Sequence, residues 1–164
     1  MTPDELADGL LTGTLPRSEW THAGHVRAFT LGSGLVPYGG ALAGAGGVAP
    51  QLNGSQCPLV GQPMALELTQ GLGGTPGVLA IGAGSSALFL FGGTVHVNPI
   101  VSTSPIVLAG APGAPGAGTL SVPLGTLTPA MLGLRVYFQA ALFDTAAPQW
   151  LSLTNGLEVV VGAL

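Results

Sequence analysis

From Leu68 to Leu134 the chain carries no Asp, Glu, Lys or Arg, and Gly or Pro recurs every few residues. Gly and Pro destabilise helix interiors and bound short strands. Such a stretch therefore folds as short β-strands joined by turns, provided that it buries enough apolar surface. Disorder needs low hydrophobicity and high net charge. Here 47% of the 164 residues are hydrophobic and 6% are charged, with a net charge of -4.

The same poverty of charge narrows the function classes. Three arginines and no lysine supply no basic stripe to neutralise a phosphate backbone, which argues against nucleic acid as a partner. The most apolar run, 78–92, is shorter than the roughly 20 residues of a membrane-spanning helix and contains Gly82, Gly84, Ser85 and Ser86. An outer-membrane barrel would need polar, lumen-facing positions that this chain lacks. The N-terminus is acidic where a secretory signal begins basic, so no signal peptide is expected in this chain. Cys57 stands alone, which leaves no internal disulfide and no cysteine zinc site; it reads as a small hydrophobe or an idle thiol.

Composition divides the chain near residue 34. Residues 1–30 hold Asp4, Glu5, Asp8, Arg17, Glu19 and Arg27, most of the formal charge. Thr2 with Pro3 opens one short helix that Gly13 and Pro16 end, and Ser18 opens another. Residues 1–34 are thus expected as a short, peripheral helical segment, because helices of this length are marginal alone.

Residues 35–164 read as an all-β unit, an antiparallel β-sandwich of about eight strands. Met64, Leu66 and Leu68 alternate with Ala65, Glu67 and Thr69, and Val136, Phe138, Ala140 and Leu142 share a face. Leu66, Leu68, Val95, Val97, Val136, Phe138, Val159 and Val161 form the expected core. The continuous runs 78–81 and 87–91 are expected as strands buried on both faces. Residues 106–109 and 120–124 supply further strands, and 109–118 a surface loop. Asn155-Gly156, between 151–154 and 157–161, predicts a closing hairpin with a type I′ turn.

An ordered series of motifs carries a resemblance. It runs from Tyr38-Gly39 through Gly54, Cys57-Pro58, Gly61, the GLGG at 71–74, VLAIGAG at 78–84 and Gly92-Gly93. It ends with Gln139-Ala140, Asp144 and TNGLEVV at 154–160. From about residue 38 to 164 the chain resembles a β-sandwich module at the C-terminal end of secreted proteins of planctomycetes and similar bacteria. The resemblance implies a non-enzymatic, extracellular or cell-surface module of unassigned role, with no catalytic residues to carry over. Relatives of that kind have cysteines near Ala41 and Gly93, which implies that this chain has lost a disulfide. Residues 13–29, GTLPRSEWTHAGHVRAF, are similar to the start of an uncharacterised bacterial helical family with a tryptophan-threonine-histidine run and a second histidine.

Three clusters carry candidate chemistry. Glu19, His22 and His25 fall within a sector of roughly 120° on a helix and would suit a divalent metal, although such sites draw ligands from several helices. His96 and Asp144 supply a base and an acid, but no G-x-S-x-G elbow marks a serine; Asp144 is expected to bond its own turn. The glycines of 81–86 lack the helix and third glycine of a phosphate loop. Trp150 and Tyr137 would form a sugar-stacking surface by analogy with other sandwiches. The expected function is a non-catalytic structural or interaction module without a cofactor, with a protein or glycan at the cell surface as partner. Metal binding at Glu19, His22 and His25, and glycan adhesion at Trp150, are the alternatives.

Overall fold

A computed structural model describes residues 33–163. Among these the chain forms eleven strands: β1 (Gly34–Tyr38), β2 (Gln51–Gly54), β3 (Pro63–Gly71), β4 (Pro76–Gly82), β5 (Ser85–Leu90), β6 (Gly93–Val97), β7 (Ile100–Val107), β8 (Gly118–Thr126), β9 (Arg135–Phe143), β10 (Leu151–Leu153) and β11 (Gly156–Val160). One sheet has the order β1-β11-β9-β4-β7, with β10 also on β9; a second is β2-β3-β8, and β5-β6 is a separate ribbon. Every strand pair is antiparallel. The fold class is the expected all-β sandwich, divided into more and shorter strands. The helical reading of residues 1–34 lies outside the described residues up to 32, and β1 begins at Gly34.

The core lies between the two larger sheets. Leu52, Met64, Leu66 and Leu68 from β2 and β3 meet Leu79, Phe138, Ala140, Leu142, Leu157 and Val159 from the large sheet. Register explains this segregation, because directly paired residues share a face. Leu79 pairs with Ala140 and Ile81 with Phe138, while Leu157 pairs with Phe138 and Val159 with Val136. The period-2 pattern of β3 and β9 is therefore the pattern of the core. The 109–118 tract joins β7 to β8, mostly on the surface, as expected.

Three expectations need correction. Within β4 only one face enters the core, so Leu79 is buried while Val78 is 43% exposed. Residues 87–91 are not a central strand: β5 pairs only with β6, and Leu88, Phe89, Leu90 and Phe91 are all exposed. β6 crosses the outer face of the large sheet, so Val97 is buried there, against Gly82, and neither it nor the half-buried Val95 lies between the sheets. An apolar run bounded by glycines states hydrophobicity but not which layer will cover it.

The third correction is the closing hairpin. β10 and β11 both run antiparallel to β9, one after the other along the same side, so the chain does not reverse at Asn155-Gly156. Neither residue takes the positive φ of a type I′ turn. Thr154 and Asn155 interrupt the ladder instead, and the Thr154 side chain takes over one of its hydrogen bonds: the Ala140 N–H donates to Thr154 Oγ1 at 2.9 Å. Replacing Phe138 by Ala removes a ring from the middle of this core and is expected to cost about 3–5 kcal/mol, measured as a lower midpoint in denaturant unfolding.

Candidate functional site

The buried polar side chains of the sandwich lie on β9 or on segments beside it. Gln139 lies on the face of β9 opposite the core, where β6 covers it. Its Oε1 accepts the His96 N–H at 2.8 Å, and its Nε2 donates to the carbonyls of Thr94 at 3.0 Å and Thr154 at 2.9 Å. One carboxamide thus fastens the ribbon to the large sheet. His96 Nε2 donates to the Gly40 carbonyl at 2.8 Å, and Tyr38 Oη donates to the His96 carbonyl at 2.7 Å.

Two glycines make that approach possible. A Cβ on Gly156 would stand 2.5 Å from the Tyr38 ring, and one on Gly39, at φ 68°, would stand 2.2 Å from the His96 ring. Side chains at either position would displace the aromatic pair, whose centroids are 5.7 Å apart in an edge-on arrangement.

Asn155 joins the sheets to each other. Its Oδ1 accepts the Leu52 N–H at 2.9 Å and its Nδ2 donates to the Leu52 carbonyl at 3.0 Å, so the amide pairs with β2 as a strand would. Among the described residues no buried side-chain nitrogen or oxygen lacks a partner.

Asp144 holds the opposite end of β9. Its Oδ1 accepts the Ala146 N–H at 3.0 Å and its Oδ2 accepts the Ala45 N–H at 2.8 Å. The backbone closes the same turn, with Ala147 N–H donating to the Asp144 carbonyl, Trp150 N–H to Ala147 and Asp144 N–H to Trp150. Out of this turn Trp150 projects with 64% of its surface exposed. Gln149 and Trp150 take φ of 52° and 62°, and across from them Phe91 takes 57°. Gly92 touches Pro148, so these three lie at one corner, and they are three of the four non-glycine residues in the left-handed region among those described. For bulky side chains that conformation is an outlier that neighbouring structure must enforce. Phe143, exposed, precedes this turn, and Phe89, on the adjoining strand, is 76% exposed. Of the charges in the described residues, Glu67, Arg135 and Glu158 lie on β3, β9 and β11, away from this turn in sequence.

The sequence-derived candidates fall in different places. Glu19, His22 and His25 lie outside the described residues; among the described residues no three His, Cys, Asp or Glu side chains come together. Trp150 is on the surface, whereas Tyr137 is 8% exposed, its ring 6.2 Å from that of Tyr38, so the two do not form one aromatic platform. His96 and Asp144 each bond backbone groups and not one another. The Asp144 turn is as expected. Residues 81–86 lead into strand β5, not a helix, and Cys57 is an exposed free thiol. Phe89 and Phe91 were not legible as surface residues, because their run has the composition of a core strand. Comparison of the chain with protein-family models, curated proteins and solved structures found no match.

Two predictions follow from these contacts. Asn155→Ala strands the Leu52 N–H and carbonyl between the sheets, each unpaired group costing about 1–3 kcal/mol; denaturant unfolding is expected to register a loss of about 2–4 kcal/mol. Burial, reinforced by Tyr137 and Glu158, pushes the Tyr38 hydroxyl up to about 12 from its ordinary 10.0. The unfolded chain then loses this proton near pH 10 while the fold keeps it, so the unfolded state binds fewer protons and stability falls between pH 10 and about 12. Tyr38→Phe is expected to flatten that decline in urea titrations across the same range.

Proposed function

We propose that residues 35–164 form a non-catalytic interaction module of a secreted or cell-surface protein, and that the Trp150 corner is its contact surface. The observation that carries this reading is the exposed tryptophan on a left-handed backbone. Glycine would take that conformation at lower cost, so a large exposed aromatic there is retained against local preference. The one carboxylate in this turn, Asp144, is buried and bonded to backbone N–H groups; this favours contacts built from apolar area and ring stacking, which change little with salt. A glycan partner is the second reading, favoured by the free face of Trp150; it does not enlist Tyr137.

The secreted setting rests on the motif resemblance, and one contact supports it. Gly93 lies against Leu42, next to Ala41, and a Cβ built on Gly93 would stand 3.1 Å from that of Leu42. Bridged cysteines have Cβ atoms roughly 3.5–4.5 Å apart, so a small adjustment would admit a disulfide one residue from Ala41, in the neighbourhood where the resemblance implies cysteines. The double variant Leu42→Cys, Gly93→Cys is expected to oxidise spontaneously and to raise stability by about 2–4 kcal/mol, read as a thermal midpoint that drops on reduction. Failure to form the bond in air would count against the resemblance.

Trp150→Gly separates contact from architecture. The fold is expected to be as stable as the parent or more so, since strain is relieved, while retention on insoluble polysaccharides or on isolated cell envelopes is lost. A destabilised Trp150→Gly that still binds would overturn the assignment. Mass spectrometry of extracellular, envelope and cytosolic fractions is expected to place the native protein in the first two; a wholly cytosolic protein would remove the setting.

A further inference from the structure

A second feature, independent of the Trp150 corner, lies at the other end of β9. Between the sheets, beside the 3-10 turn Pro129–Met131, is a cavity of about 190 Å³. Met64 and Leu124 line it from the small sheet, Val136, Phe138 and Val159 from the large one, and Met131 from the turn. The space is open on one side and all of its lining side chains are apolar; enclosed apolar cavities of roughly 150 Å³ accept benzene.

The wall on the turn side is built to move. The segment is pinned at Leu127, which exchanges backbone bonds with Gly61 and Gln62, and at Gly133 and Leu134, which bond Val161. Between these anchors the backbone bonds of Met131 and Leu132 stay within the turn. Leu132 and Leu134 are exposed beside it, and methionine at two points of the lining can repack around a guest, its side chain being unbranched and flexible.

We propose that this cavity is a binding site for one small uncharged hydrocarbon group, of the size of a benzene ring or a short alkyl chain, admitted past Met131. The lining side chains offer nothing to orient a polar or charged ligand, and the volume suits a group of roughly the size of a benzene ring. Methionine supplies the test, because the chain has three: Met64 and Met131 line the cavity, and Met1 lies outside the described residues as a reference.

The full chain labelled at its methionine methyl carbons is titrated with benzene and, separately, with hexan-1-ol, and followed by NMR. Saturable shifts of the Met64 and Met131 methyls, with Met1 unmoved, are expected for at least one probe. Val136→Phe, which places a ring in the space, is expected to weaken that binding at least tenfold while far-ultraviolet circular dichroism is retained. Should that variant not fold, Leu124→Phe fills the cavity from the opposite sheet and carries the same expectation.

Methyls that stay unmoved up to the solubility of both probes would overturn the proposal. So would shifts that grow linearly at all three methionines, which is surface partitioning, or unchanged binding in the filled variant. Shifts of Met131 with protein concentration alone would mean that a second copy seats there, and would also overturn it.

Discussion

The Asn155 side chain is a polar joint between two sheets whose facing side chains are otherwise apolar. Hydrophobic contact is non-directional, and with faces made of Leu, Val and Ala the two sheets could slide against one another at little cost. A carboxamide that accepts from one backbone N–H and donates to the carbonyl of the same residue, Leu52, fixes one relative position. The remaining buried polar groups extend that constraint. Gln139 fixes the ribbon on the large sheet, Tyr38 and His96 fix the loop after β1, and Asp144 ties the loop at Ala45 to the end of β9. A chain with so little charge relies on amides, hydroxyls and one carboxylate for this directional work, and their burial strengthens each bond.

The same arrangement connects the interior to the surface. Asp144 both accepts from the loop at Ala45 and organises the turn that carries Trp150, so the position of the exposed ring is set by a group buried beneath it. The side chains that resemble catalytic parts, His96 and Asp144, are occupied in holding backbone. Large apolar side chains, Phe89, Phe91, Phe143 and Trp150 among them, are left exposed at the surface. An aromatic corner whose one carboxylate is occupied by backbone suits contact better than chemistry, and its exposed apolar area is of the kind that marks interaction surfaces.

Legibility in the sequence followed local periodicity. The alternation of Met64, Leu66 and Leu68, and of Val136, Phe138, Ala140 and Leu142, located two core strands because each has one face in the core and a distinct pattern on the other. Residues 87–91 misled because every residue from Ala87 to Phe91 is apolar, and periodicity is silent when both faces carry the same signal. Asn155-Gly156 misled for a different reason. The pair suits a tight turn, but the Asn155 amide gains two bonds to another sheet, a non-local contact 103 residues away that no local rule contains. Asp144 was readable because its turn is local; its bond to Ala45 was not. The left-handed backbone at Phe91, Gln149 and Trp150 also had no sequence signal, since Gly or Asn would be the residues expected there.

The account holds that the buried polar groups are permanent joints of the fold. Amide hydrogen exchange in the native state examines this directly at four N–H groups that donate to side chains: Ala45 to Asp144, Leu52 to Asn155, His96 to Gln139 and Ala140 to Thr154. If the joints are structural, all four exchange only with global unfolding, as slowly as the amides shared between β4 and β9. Rapid exchange at these four within an otherwise protected sandwich would mean that the polar system opens on its own. That result would contradict the account, because a polar cluster that opens to solvent is a site and not a frame.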